Sequence, residues 1–202
     1  MLKKGITIGL VATPLLISGC DDQHANNPPA PKQQTGIHQT AQDEASFTIT
    51  ANAAGPIQLG MNSADILAAF PGATASTEQD GEGITWMTVT LKGENLMSVL
   101  LDDNDHSAVL IRVTSPKFAT EQGVHVGENL QSAGEKLGGL TEIQLTEIES
   151  REFATFANSP PSQEFQVVGA DGTAGVYANN EKITNIASPS ARIHSIWLTE
   201  DI

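Results

Sequence analysis

The chain is predicted to fold as α+β, with antiparallel sheet outweighing two short helices and arranged as a tandem β-α-β-β-β repeat. Three observations predict this. Apolar and polar residues alternate in short runs joined by tight turn sequences. Two brief helical stretches each follow an Asn and end at a Gly-containing stop. The pattern around the first helix also returns 67 residues later.

Taken in order, Phe47-Thr48-Ile49-Thr50 alternates as a half-buried strand does. Pro56-Ile57-Gln58-Leu59-Gly60 is a second short extended piece. Asn62 then caps a helix with Asp65 in its first turn, where a carboxylate complements the helix dipole. Ile66, Leu67 and Phe70 form its apolar face, and Pro71-Gly72 stops it. Residues 84–91 set Met87, Val89 and Leu91 on one face of a strand against Trp86, Thr88 and Thr90 on the other. Lys92-Gly93-Glu94-Asn95 has turn chemistry, residues 96–101 form a more apolar strand, and Asp102-Asp103-Asn104-Asp105 turns the chain into a strand over 108–113. Strands joined this tightly must be antiparallel, because parallel neighbours need crossovers of about a dozen residues. Such a sheet buries one face under a helix and leaves the other wet.

The second unit begins after Ser115-Pro116. Gly123-Val124-His125-Val126-Gly127-Glu128-Asn129-Leu130 parallels Pro56-Ile57-Gln58-Leu59-Gly60-Met61-Asn62-Ser63, and Leu137-Gly138-Gly139 answers Phe70-Pro71-Gly72. The repeats are expected over 46–115 and 120–200. Strands are expected at 140–148, 164–168, 174–177 and 192–198, with exposed loops at Ser159-Pro160-Pro161-Ser162 and 186–190. In the last strand Ile193, Ser195 and Trp197 should share one face, and Ile196 and Leu198 the other.

The amino-terminal stretch sets the location. Lys3 and Lys4 precede an apolar run over 6–17, and Ser18-Gly19 supplies small residues before Cys20, the single cysteine of the chain. The run is shorter than the about 20 apolar residues of a spanning helix. Leu15-Leu16-Ile17-Ser18-Gly19-Cys20 resembles the bacterial lipobox, which implies a signal peptide over 1–19 and acylation of Cys20 (diacylglycerol on the thiol and palmitate-type acylation of the amine). Two or more chains hold a protein firmly to a bilayer, whereas one holds it marginally. Asp21 and Asp22 resemble the sorting signal that retains lipoproteins in the inner membrane, which is favoured over the outer membrane. Residues 20–45 are rich in Gln, Asn, Pro and Asp with almost no apolar residue, so a disordered tether is expected before a periplasmic domain over 46–202.

Beyond the signal, eight basic residues face 24 acidic ones, a formal charge of −16. Phosphate backbones and anionic headgroups repel such a chain, so nucleic acid is excluded as a partner and a basic partner is electrostatically easier. Asp102-Asp103-Asn104-Asp105-His106 gathers oxygen ligands but lacks the glycine and glutamate of a calcium loop, since Ser107 and Val113 stand there. His125 and His194 are weak candidates for a metal or proton site on strands. No G-x-S-x-G elbow occurs, and Gly134-Glu135-Lys136 runs into Leu137 rather than completing a phosphate loop. Trp86 and Trp197 are expected in the core or lining a pocket. No metal or cofactor is expected.

Ala108-Val109-Leu110-Ile111-Arg112-Val113-Thr114-Ser115, Thr120-Glu121-Gln122-Gly123-Val124-His125-Val126-Gly127 and Ile193-His194-Ser195-Ile196-Trp197, behind a lipobox and a polar tether, resemble the small envelope lipoproteins under control of the extracytoplasmic stress factor sigma-E. The resemblance spans roughly 46–198 and implies an α+β periplasmic domain of unassigned activity, linked to envelope stress. The expected function is a non-enzymatic binding or accessory module that engages an envelope protein. The alternatives are a periplasmic hydrolase or metal-dependent enzyme resting on His125, His194 and the acidic turn at Asp102-Asp103-Asn104-Asp105, and an inhibitor or immunity protein directed at a basic enzyme.

Overall fold

The computed structural model describes residues 47–147 and 150–200. The signal, Cys20, Asp21, Asp22 and the tether lie outside them. The first half comprises β1 (Thr48–Ile49), β2 (Ala53–Ala54), β3 (Ile57–Gln58), α1 (Ser63–Ala69), β4 (Ala73–Gln79), β5 (Thr85–Leu91), β6 (Glu94–Leu101) and β7 (Ala108–Val113). After β8 (Ala119–Thr120), the second half comprises α2 (Leu130–Lys136), β9 (Leu140–Leu145), β10 (Glu152–Phe156), β11 (Gln163–Val168), β12 (Ile183–Thr184) and β13 (Arg192–Thr199). The fold class is α+β as expected. Neither helix of the described residues is long and apolar enough to cross a membrane.

Two sheets result. A small one has the order β3-β2-β1-β8, with β1 and β8 parallel. The large one has the order β12-β9-β10-β11-β13-β7-β6-β5-β4, and every neighbouring pair in it is antiparallel. Two four-stranded meanders, β4 to β7 and β9-β10-β11-β13, therefore meet along their last strands.

The helices form where the sequence predicts them, for the predicted reason. The Asn62 side chain accepts from the amides of Ala64 and Asp65 and donates to the Asp65 carboxylate, so two otherwise unpaired helix amides are satisfied. Asn129 accepts from Gln131 at α2. The 67-residue offset is visible in backbone bonding. Gly60 donates to the Ala108 carbonyl and receives Ala108 through Met61; Gly127 donates to Ile193 and receives Ile193 through Glu128. Both glycines have φ near that of a left-handed residue, +84° and +88°, which a Cβ would strain.

Several details differ from the sequence reading. The short strands β2, β8 and β12 were not expected, residues 123–127 make only an isolated bridge from His125 to Ala119, and Ser162 of the expected exposed loop is buried. Strands β4 and β10 were not expected: the first, Ala-Thr-Ala-Ser-Thr-Glu-Gln, has no apolar alternation because it is an edge strand with six exposed residues. Residues 174–177 are not a strand; Gly175 makes an isolated bridge to Ala187 inside a long connection over 169–191. The β11–β13 register shifts between Gln166 and Val167 of β11, so His194 of β13 has no partner there. Ile193 thereby joins Ile196 and Leu198 in the core, while Ser195 and Trp197 stay on the opposite face.

One face of the large sheet carries the core. Val89, Met97, Val99, Ile111, Val113, Ile143, Phe165, Ile196 and Leu198 are buried with Ile66 of α1, Leu130, Ala133 and Leu137 of the α2 region, and Ile49 and Ile57 of the small sheet. The other face is left without a helix.

Candidate functional site

Strand alternation puts a second, smaller set of large side chains on that outer face. The registers place Trp197 opposite Arg112, Arg112 opposite Ser98, and Ser98 opposite Thr88. The Arg112 guanidinium lies 4.4 Å from the centre of the Trp86 ring and 5.8 Å from that of Trp197. The two indoles meet edge to face at 6.1 Å, Phe153 packs on Trp197 at 5.1 Å, and Arg151 stands 5.5 Å over the same ring. Cations over indole faces in a partly dry setting are attractive by about 1–2 kcal/mol each.

The N–H groups of both indoles are satisfied locally, which locks the ring orientations. Trp86 Nε1 donates to Asp80 at 2.9 Å, and Trp197 Nε1 donates to Ser195 Oγ at 2.7 Å. Ser195 in turn donates to Gln166, and Arg112 donates to Ser98. The indole bond, aided by the amides of Ile84 and Glu82, holds the Asp80 carboxyl below the usual aspartate range. Both tryptophans are buried beneath the guanidinium groups, so an incoming molecule meets Arg112, Arg151 and the half-buried Phe153 rather than bare indole. Exposed Glu78, opposite Trp86, and Glu164, opposite Trp197, frame the platform. Chemically it is a rigid aromatic and cationic patch in an acidic frame, the composition found at energetic centres of protein interfaces.

The tryptophans are thus placed away from the main core, on the wet face. Sequence reading singled them out but not Arg112, Arg151 or Phe153. A lone arginine in the apolar run of β7 was the available signal, since alternation sends it to the side opposite Ile111 and Val113.

A second feature is a cleft of about 630 Å³ between α2 and the 185–189 segment, lined by Leu130, Gly134, Gly139, Ile186 and Pro189 among others. The connection that forms its wall is held by Glu152 of β10. This buried carboxylate accepts from the amides of Ala174 and Gly175 and from the Tyr177 hydroxyl, at 2.5, 2.7 and 2.7 Å. Burial, then the Glu152 bond and charge, push the Tyr177 phenol above its usual range. A Cβ on Gly175 would stand 2.7 Å from the Tyr177 ring, so the approach requires glycine.

The acidic turn and His125 are structurally occupied. The Asp102 carboxylate accepts from the amides of Asn104 and Asp105 and from the Asn104 side chain, and Asp105 accepts from Ser107. These bonds hold both carboxyls below the usual range and close a hairpin turn. His125 bonds the Val126 carbonyl through Nδ1 and lies 3.9 Å from Glu128, which is paired with Lys136. His194 is exposed at the bulge of β13. Among the described residues no group of three or more His, Cys, Asp or Glu side chains is placed to hold a metal.

No family model matches the sequence, and no curated protein matches it. Among solved structures the chain is similar to the uncharacterized protein yfeY from Escherichia coli, with a TM-score of 0.53 and 11% identity. The match covers 76% of this chain and 99% of that one. The likeness is one of fold.

Proposed function

We propose that this protein is a lipoprotein of the bacterial cell envelope, anchored through acylated Cys20 and facing the periplasm, that works as a non-enzymatic binding module linked to envelope stress. The Trp86–Arg112–Trp197 stack on a sheet face that neither helix covers is the observation that carries the binding reading. The lipobox and the polar stretch behind it support the anchor, and Asp21-Asp22 supports the inner membrane. The fold shared with a bacterial protein is consistent with this setting.

Two measurements test it. Mass spectrometry of the mature protein should find residue 20 as an acylated amino terminus, and fractionation should place it with inner-membrane vesicles; an unmodified thiol overturns the anchor. Crosslinking in envelopes from Phe153 should yield a partner adduct that Arg112→Ala with Arg151→Ala removes while circular dichroism is unchanged. An adduct indifferent to both arginines overturns the outer face as the binding surface. The acidic frame of Glu78 and Glu164 favours a second reading, inhibition of a basic enzyme, in which binding would weaken steeply with salt.

A further inference from the structure

The large sheet has two ends, and the internal repeat makes them equivalent. At one end β9 is bordered by β12, antiparallel, with Ile183 opposite Gln144 and Thr184 opposite Ile143. The Lys182 carbonyl accepts from the Leu145 amide, and the Lys182 ammonium pairs with Glu147. At the other end β4 is paired with β5, and among the described residues nothing pairs with its second side.

Hydrogen-bond parity shows what the bare edge offers. The Asp80 amide donates to the Ile84 carbonyl, so this pair is a bonded one. The register from Gln79 opposite Thr85 to Ala73 opposite Leu91 has no bulge. Bonded and non-bonded pairs alternate in an antiparallel ladder, so the amides of Glu78, Ser76 and Thr74 face β5 and those of Ala75, Thr77 and Gln79 face outward. The Ala73 amide is taken by the Phe70 carbonyl. Natural edges are usually blocked by lysine, proline or a bulge, and β4 has none of these. Its first five side chains, Ala73 to Thr77, are small, and residues 73–85 hold three carboxylates and no basic group.

We propose that β4 receives an antiparallel strand from another polypeptide: an extended segment with β-branched residues and a lysine or arginine that meets Glu78 and its acidic neighbours. The segment 182–184 is the chain's own example of such a ligand, seated on the equivalent edge. Main-chain bonds to Ala75, Thr77 and Gln79 supply the affinity and the charge match selects the partner. A second copy brings carboxylates to this edge and no cation. The inference rests on the binding-module reading and names the kind of segment the partner presents.

The test uses the full mature chain with Cys20→Ser, and a synthetic peptide copying residues 180–186. Hydrogen exchange read by NMR at Ala75, Thr77 and Gln79 should slow about tenfold at millimolar peptide as those amides gain partners. The same peptide with Lys182→Glu should bind about fivefold more weakly, the scale of a surface charge reversal. Thr77→Pro should abolish the slowing while thermal unfolding stays unchanged, since only an outward-facing amide is removed and proline is tolerated at such edges. No slowing at millimolar peptide, or slowing that survives Thr77→Pro, overturns the proposal. Slowing without peptide also overturns it, assigning the edge to a second copy if it grows with protein concentration and to the chain itself if it does not. The Arg112 and Arg151 crosslinking result is independent of these outcomes, so failure of the edge and failure of the outer face are distinguishable.

Discussion

The two halves share helix caps, meander order and backbone bonds, and they differ in one connection. In the first half β6 reaches β7 through the tight turn over 102–107, closed by Asp102 and Asp105. In the second half the corresponding link is residues 169–191, which leave β11, form the wall of the α2 cleft, lay β12 on β9 and return to β13. A meander needs no such excursion to close its core, because the first half closes without one. The longer link supplies an edge cover and three of the exposed large apolar side chains, Val176, Ile183 and Ile186. Similar frames thus carry different surfaces.

The largest expected effect falls where the halves join. Ile196 is fully buried beside Val113 across the β7–β13 seam. Ile196→Ala should cost about 2–5 kcal/mol, the usual range for a large aliphatic in a packed core. Urea unfolding should remain a single transition; two transitions would show that the halves fold separately and would break the comparison.

Next comes the clamp that the first half lacks. Glu152→Ala leaves the buried amides of Ala174 and Gly175 without their acceptor and should cost about 3 kcal/mol, given about 1–3 per orphaned group. Exchange should rise over 174–187 before the rest of the domain. Tyr177 adds a pH signature. Its phenol is raised in the folded state, so its contribution is complete below the ordinary tyrosine value of about 10 and is lost as the pH climbs beyond it. Alkaline titration followed by exchange over 174–187 should show this loosening, and Tyr177→Phe should remove the step.

The caps test the equivalence directly. Asn62→Ala and Asn129→Ala should each cost about 1 kcal/mol in chemical denaturation. A much greater loss at Asn129 would trace to its bond with the Pro189 carbonyl, which ties α2 to the long connection. The smallest effect concerns Asp80. Its carboxyl is lowered chiefly by the Trp86 indole, so the bond is intact above the ordinary aspartate range and lost as the pH falls through the depressed value. Trp86 fluorescence should shift on acidification, and Asp80→Asn should abolish the pH dependence.

The repeat, both caps, the β5 to β7 meander and the central position of β13 were legible because each leaves a local mark: an asparagine before an apolar stripe, or a period of two ended by glycine. Strand β4 was not legible, since an edge strand buries too little to need apolar residues. Strand β10 escaped because its inward side chains are Glu152, Ala154 and Phe156, and a buried glutamate reads as a surface residue until its amide partners are seen. Part of the candidate site was visible in the two tryptophans. The guanidinium groups that cover them come from β7 and from the residue before β10, and only the pairing order of distant strands brings them together.

The last strand among the described residues lies between β11 and β7, at the centre of the large sheet. A ribosome that stops short of Arg192 therefore releases two half-sheets, each with a raw edge where its neighbour belongs. Until β13 is seated the two meanders share no edge, so one strand decides whether the molecule holds one sheet or two.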